Sequence, residues 1–395
     1  MPDTAMPTAS LSVPDPAALL QVQSLCDQTD PYATSAASDV LFAAAMREIV
    51  AWHQARSPFY ARLLEERGFS SQQLQTASDC AALPLIHANF FKTHEILSVP
   101  RESITLHLTS SGTTGQKSQI FFDAWSIGAG QRMVRNIFDY YGWNTPQHPV
   151  NYLLFNYEPE TNWKVGTSYT ANFLCSFAPI HQLNYALRRT GQGSHEFDVY
   201  GTLRTLQEYA ESGLPVRIFG FPAFLHATLQ RMQALGLPPL KLHPDSLVFF
   251  GGGWKGQADK AIPKSELYGA IHRQLGIPDQ RIRDGYGSVE HSVPYAECAA
   301  HNFHVPVWSR IFIRDVKTLE ANPPGVPGFL NFVTPYVTSV PVHSVLMGDL
   351  AAWHPGSDCS CGLDTPFFVP LGRAGVSKNK SCAIAAAELL QGRAA

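Results

Sequence analysis

Charge is scarce in this sequence. Only 15% of its 395 residues are Asp, Glu, Lys or Arg and the formal net charge is −3, so no basic field exists to draw in nucleic acid or an anionic membrane surface. No run approaches the roughly 18 apolar residues of a membrane span, and the N-terminus has neither the basic nor the apolar region of a signal peptide. A soluble cytoplasmic protein is the expectation. Cysteine is sparse too: seven, an odd count, in a long chain without a secretion signal argues for reduced thiols over a disulfide framework. Internal repeats, coiled-coil heptads and low-complexity blocks are missing. Against these absences stands 45% hydrophobic content, enough for a substantial core in one large domain or a few modest ones.

The most informative segment runs from Leu108 to Ser118. It sets Ser110, Ser111, Gly112, Thr113, Thr114, Gly115 and Lys117 between two runs that read as strands. Glycines let backbone N–H groups turn toward an anion without a Cβ clash, hydroxyls add donors and Lys117 adds charge. This describes a phosphate-handling loop; a flexible surface turn is the alternative. A Walker loop needs Gly-x4-Gly-Lys-Ser/Thr, and counted from Gly112 the second glycine would stand where Lys117 does. A different nucleotide chemistry is implied.

Further motifs follow in order. An apolar run over 246–250 ends in Gly251, Gly252, Gly253, Trp254 and Lys255; then come Asp284-Gly285-Tyr286-Gly287-Ser288-Val289-Glu290, Met347-Gly348-Asp349-Leu350 and Leu371-Gly372-Arg373. The first loop resembles the Ser/Thr-Ser-Gly-Thr-Thr-Gly signature of the adenylate-forming enzymes, which activate a carboxylate at the α-phosphate of ATP. Residues 286–290 resemble their Tyr-Gly-x-Thr-Glu motif, with Ser288 in the threonine position. Asp349 sits in a segment similar to their Thr-Gly-Asp, and Gly372-Arg373 resembles their hinge. Within that superfamily, the triple-glycine turn, 286–291 and 372–383 look most like the LuxE-type acyl-protein synthetases, across roughly residues 80 to 390.

The resemblance implies an α/β fold, the large N-terminal domain of the adenylate-forming enzymes with layered sheets and helices, lacking the usual mobile C-terminal domain because only a short tail follows Arg373. It implies ATP and Mg²⁺. Ser110 to Lys117 would hold the β and γ phosphates, although Lys117 stands where the family pattern has proline. Gly251, Gly252, Gly253 and Tyr286 would frame the adenine, Gly287 and Ser288 would also belong to the nucleotide site, Asp349 would accept from the ribose hydroxyls, and Arg373 would contact ribose or phosphate. Glu290 would bind Mg²⁺, a hard cation that prefers carboxylate and phosphate oxygens. His291 either polarises the substrate carboxylate or is a structural histidine. In the tail, Lys378 or Lys380 would stabilise the transition state, and Cys382 fits the position of the thiol to which such synthetases transfer the acyl group before a partner protein, a reductase or carrier, collects it. Two nearby lysines favour the thiolate; a small apolar residue on a tail helix is the alternative for Cys382. The expected substrate is a fatty or other carboxylic acid.

Cysteine spacing carries a separate signal. Cys359-Ser360-Cys361-Gly362 is a thiolate knuckle, and with Cys298 and His304 it makes a set of soft ligands suited to structural zinc; free thiols are the other reading. Along the chain, 1–35 reads as a poorly ordered lead-in, 36–104 as a helical region, 105–372 as the nucleotide-binding core and 373–395 as the tail. Helical spacing recurs over 39–56, with Ser57-Pro58 opening a second helix. Strand-like runs at 151–155, 216–219, 247–250 and 329–333 alternate with helical stretches at 200–212, 224–235 and 264–275, the pattern of α/β layers. An acyl pocket is expected along 156–170. The competing functions are an acyl- or aryl-CoA ligase and a non-catalytic nucleotide- or acid-binding subunit; a serine hydrolase is disfavoured because 166–170 lacks the second glycine of a nucleophile elbow.

Overall fold

The computed structural model describes residues 11–109, 118–159, 166–191, 194–254, 257 and 260–374. Its helices are α1 (Leu20–Cys26), α2 (Ala36–Arg56), α3 (Pro58–Glu66), α4 (Ala124–Tyr140), α5 (Gly166–Leu174), α6 (Val199–Ser212), α7 (Pro222–Ala234) and α8 (Lys264–Leu275). Strands β1 (Ile86–His87), β2 (Ile104–Thr109), β3 (Gln119–Asp123), β4 (Val150–Tyr157), β5 (Ile180–Gly191), β6 (Ser194–Phe197), β7 (Val216–Gly220), β8 (Leu247–Gly251), β9 (Ile282–Tyr286) and β10 (Tyr295–Ala296) precede β11 (Phe303–His304), β12 (Arg310–Arg314), β13 (Gly328–Val333), β14 (Ser344–His354) and β15 (Phe367–Arg373). A seven-stranded sheet has the order β10-β9-β8-β7-β4-β5-β6. Its five central strands are parallel and its two edges antiparallel. A second sheet runs β11-β15-β14-β13-β12 with β1 against β14, and β2 with β3 forms a hairpin.

The parallel strands are buried on both faces because their side chains alternate between two cores. Leu153, Phe155, Ile218 and Val248 turn toward α6, α7 and α8, where they meet Leu206, Leu225 and Ile271. Tyr152, Leu154, Phe219 and Leu247 turn the other way, into a core shared with α2, α4 and the second sheet. These faces give the near-continuous apolar runs that mark strands in the sequence.

The lead-in expected over 1–35 is corrected for its described part. Leu19, Val22, Leu25 and Cys26 recur at helical spacing and are buried in the larger core, so α1 docks rather than trailing in solvent. Glu48 of α2 receives its first turn, accepting from the backbone N–H of Gln21 at 2.7 Å and of Val22 at 3.0 Å, which satisfies donors that a helix start leaves open. No helix among the described residues is long and apolar enough to cross a membrane.

The N-terminal helices are pinned to the second sheet by a polar cluster. His53 and His343 stack with centroids 5.1 Å apart and are almost wholly buried. His53 pairs through Nδ1 with Ser98 Oγ at 2.7 Å and through Nε2 with the Val337 carbonyl at 3.1 Å, while His343 Nε2 meets Tyr60 Oη at 2.5 Å. Burial pushes His343 down to about 3, and burial with the neighbouring His343 holds His53 well below the usual imidazole value. Both rings are therefore neutral in the folded protein. Below pH 6.5 the unfolded chain takes up protons that the folded chain refuses, so this contribution is complete above about 6.5 and is lost as pH falls toward 3. Each such group makes unfolding easier by about 1.4 kcal/mol per pH unit inside that window. Urea denaturation between pH 7.5 and 5 should therefore show falling stability, and His343→Asn should flatten the slope by about one proton.

Candidate active site

The site begins where two neighbouring parallel strands end. Gly251 of β8 lies in register with Gly285 of β9, so both glycine motifs emerge at the carboxyl edge of the sheet, the place where open α/β sheets bind ligands. A Cβ on Gly285 would stand 2.8 Å from the Phe249 ring, whereas at Gly251 and Gly287 it would meet open space. Gly252 and Gly253 adopt φ of 78° and 63°, the left-handed region that glycine enters without penalty. The first pair therefore serves close packing and open room, the second the turn.

Across this edge the second sheet delivers two more motif residues. Asp349 of β14 and Arg373 of β15 are cross-strand partners, and Arg373 Nε donates to Asp349 Oδ1 at 3.3 Å. The Asp349 carboxyl is raised by burial and pulled back by Arg373 and by the neighbouring Tyr286 hydroxyl. Tyr286 itself is braced edge-on by Phe368 at 5.4 Å and by the tilted ring of Phe332 at 5.7 Å. Three residues separated by up to 87 positions in the chain thus form one cluster.

Gly251, Gly252, Gly285, Tyr286, Gly287 and Ser288 line a cavity of about 310 Å³ whose remaining wall is largely apolar, including Leu106, Leu108, Ile127, Val134 and Phe249. The Ser288 hydroxyl is buried and finds no partner among the described residues. A buried hydroxyl without a partner, beside glycines that leave space, fits a polar ligand at this edge. Glu290 is buried at 7% exposure, and no cation pairs with it among the described residues, which fits a Mg²⁺ ligand.

The cysteine set converges as well. One ligand atom from each of Cys298, His304, Cys359 and Cys361 lies within 4.8 Å of the others. Cys298 and Cys359 Sγ atoms are 3.7 Å apart, and Cys361 Sγ is 3.3 Å from His304 Nε2. His304 Nδ1 donates to the Thr365 carbonyl at 2.7 Å, which orients Nε2 toward the sulfurs in the way that metal-bound histidines are usually held. The Ala300 N–H at 3.3 Å from Cys298 and the Asn302 amide at 3.3 Å from Cys359 donate to sulfur. Three sulfurs and one ring nitrogen are the donor set of a structural zinc site.

With this geometry stands a match to the family model of the acyl-protein synthetase, LuxE, over residues 17–391. The chain belongs to that family. It is similar to two proteins named long-chain-fatty-acid–luciferin-component ligase: one from Vibrio harveyi, 24% identical over 73% of each chain, and one from Aliivibrio fischeri, 24% identical over 67% of each. A solved structure of 2-hydroxyisobutyryl-CoA ligase in an open conformation matches its fold with a TM-score of 0.64 at 16% identity, covering 94% of this chain and 82% of that one. The synthetase is thus a ligase with the adenylate-forming α/β fold.

Of the two roles kept for His291, the geometry supports the structural one. The ring is 1% exposed, stacks on Phe332 at 4.3 Å and pairs through Nε2 with Tyr295 Oη at 2.8 Å. Burial pushes it down to about 3, so the synthetase holds it neutral in the core, away from the cavity lining. Ser110, Ser111, Gly112, Thr113, Thr114, Gly115, Lys117 and Lys255 lie outside the described residues, as do Lys378, Lys380 and Cys382; β2 and β3, paired at Thr109 and Gln119, flank the first loop as an antiparallel hairpin. Of the expected acyl segment, Asn156 and Thr170 reach the lining.

One element was missed in the sequence. Glu297, fully buried next to Cys298, accepts from the Asp284 N–H at 2.8 Å, Tyr268 Oη at 3.0 Å and Lys264 Nζ at 2.5 Å. Lys264 also reaches Asp284 at 3.0 Å, and His301 at 3.3 Å closes the network. These residues are spread over α8, β9 and the turn after β10, and nothing in their spacing announces the meeting. Removing one partner of a buried ion pair strands the others. Glu297→Ala should therefore lower unfolding stability by about 3 to 5 kcal/mol in a urea titration, and Glu297→Gln by less.

Proposed function

We propose that the synthetase joins a fatty acid to ATP as acyl-AMP with release of pyrophosphate, then loads the acyl group on Cys382 as a thioester. The observation that carries this reading is a single cavity walled on one part by the glycines and Tyr286 of the nucleotide motifs and on the rest by apolar side chains. A carboxylate oxygen attacks the α-phosphorus, the bond to the bridging oxygen breaks, and pyrophosphate leaves. Most of the acceleration comes from holding the reactants in line and offsetting charge.

In this reading Ser110 to Gly115 and Lys117 steady the leaving pyrophosphate. Gly251 to Gly253 and Gly287 leave room for the adenine against Tyr286, with Ser288 offering its hydroxyl, while Asp349 accepts from the ribose and Arg373 contacts ribose or phosphate. Glu290 would hold Mg²⁺, which supplies positive charge to phosphate oxygens. Lys378 or Lys380 closes on the transition state. The Cys382 thiol then loses its proton, its sulfur attacks the acyl carbonyl, and the carbon–oxygen bond to AMP breaks. The names of the Vibrio harveyi and Aliivibrio fischeri relatives support a long-chain fatty acid as substrate; in this reading the final acceptor is a further protein, such as a reductase or carrier.

A labelled fatty acid with ATP and Mg²⁺ should leave label on the protein that hydroxylamine removes. Cys382→Ser should abolish that label yet leave acid-dependent pyrophosphate release largely intact, because the thiol acts after adenylation. Acyl-CoA formation without protein labelling would favour a CoA ligase instead; absence of pyrophosphate release with every acid tried would leave a binding subunit.

The Cys298, His304, Cys359 and Cys361 cluster supports a structural zinc ion tying the turn after β10 to the β14–β15 connection. Metal analysis of purified protein should find about one zinc per chain. Cys361→Ser should release it and lower the melting temperature; metal-free protein of unchanged stability would return these residues to free thiols.

A further inference from the structure

The cavity keeps an unfilled notch on α4. Ile127, Gly130, Gln131 and Val134 recur at helical spacing on the face that lines it and are only half-buried, whereas Ala129 and Met133 on the adjoining face are fully packed. Glycine is, after proline, the residue a helix interior tolerates least, so a mid-helix glycine usually answers to close packing. Gly128 does: a Cβ there would stand 2.4 Å from Leu11 Cδ2. Gly130 does not. Among the described residues a Cβ at Gly130 would meet nothing nearer than Tyr336 Oη at 3.7 Å, an ordinary contact. Packing leaves room for a methyl group that the sequence omits, and the room belongs to the cavity.

We propose that Gly130 determines specificity in the synthetase, keeping open the depth that lets an extended straight-chain acid fit where a larger side chain would admit only short ones. This rests on the reading of the cavity as the acid site. An apolar cavity of about 150 Å³ holds benzene, so a space of about 310 Å³ suits roughly a dozen carbons less whatever the nucleotide edge occupies. The walls contributed by Ile127, Val134, Leu106 and Leu108 offer an unbranched chain contact without a polar partner, the arrangement expected for an aliphatic tail. A Leu side chain at position 130 would project into that depth and displace several methylenes.

Two measurements separate this proposal from the reading beneath it. Acid-dependent pyrophosphate release tests adenylation; calorimetric binding of decanoic and hexanoic acids, without ATP, tests the cavity. Wild-type protein should bind decanoic acid the more tightly. Gly130→Leu should weaken decanoic acid by about tenfold or more while changing hexanoic acid less than about twofold. Gly130→Ala, which fits the measured space and favours the helix, should shift the ratio in the same direction by less and should melt no lower than wild type. If the wild type binds the long acid and releases no pyrophosphate, adenylation fails while the effect of Gly130 is still decided by binding. An unchanged ratio of long to short acid in both variants, or a wild type that does not favour the long acid, would overturn the proposal.

Discussion

The parallel pairing of β8 with β9 is the constraint on which the site depends. Register brings Gly251 opposite Gly285: a Cβ at Gly251 would meet open space, while Gly285 lets the Phe249 ring pack against the backbone of β9. Open space at Gly251 and at Gly287 leaves a cleft at the carboxyl edge of the sheet, and the turn through Gly252 and Gly253 carries the chain away from it in a backbone conformation that other residues enter at a cost. Every other feature of the site is arranged around that cleft. Were β9 displaced by one residue, Asp284 would exchange faces with Gly285 and its carboxylate would leave the Lys264 pair.

Holding β9 in place is the work of Glu297. Its carboxylate accepts from the main chain of Asp284 and from Lys264, and its own N–H donates to the Asp284 carbonyl at 3.0 Å, so strand and turn are bound through main chain and side chain together. Burial alone would raise this carboxyl, yet His301, Lys264 and the Asp284 amide hold it below its ordinary value. Immediately after Glu297 comes Cys298 of the soft-ligand cluster, which joins the turn to β11 and to the segment between β14 and β15. The glycine edge and the cysteine cluster are thus neighbours in the chain as well as in space.

The second sheet reaches the cleft from the other side. Antiparallel pairing of β14 with β15 sets Asp349 against Arg373, and Tyr286 joins them from β9. Arg373 is largely exposed, so its ion pair contributes little to stability and the guanidinium stays available to a ligand. Much of the rest of that sheet is apolar and shares a core with α1, α2 and α4. This is why the lead-in helix matters to the site: it is part of the same packed body that seats α4 over the cavity.

Local signals in the chain were enough to place some of the strands and helices, because burial on both faces writes continuous apolar runs at β4, β7 and β8 and helical periods run through α2, α6 and α8; α1, α4, β5 and β14 were not read from the sequence. The glycine motifs and the Cys-x-Cys knuckle were legible for a similar reason: their chemistry depends on residue type at short spacing. What spacing could not supply was distance across the fold. That Tyr286 lies beside Asp349, that Glu297 gathers Lys264, Asp284 and His301, that His291 turns into the core and that Gly130 opens on the cavity are consequences of sheet register and helix orientation. The sequence by itself determined which residue types stand together in each motif; tertiary structure decided which of the described ones face one another, since contacts between distant segments arise only when the cores they bury are closed.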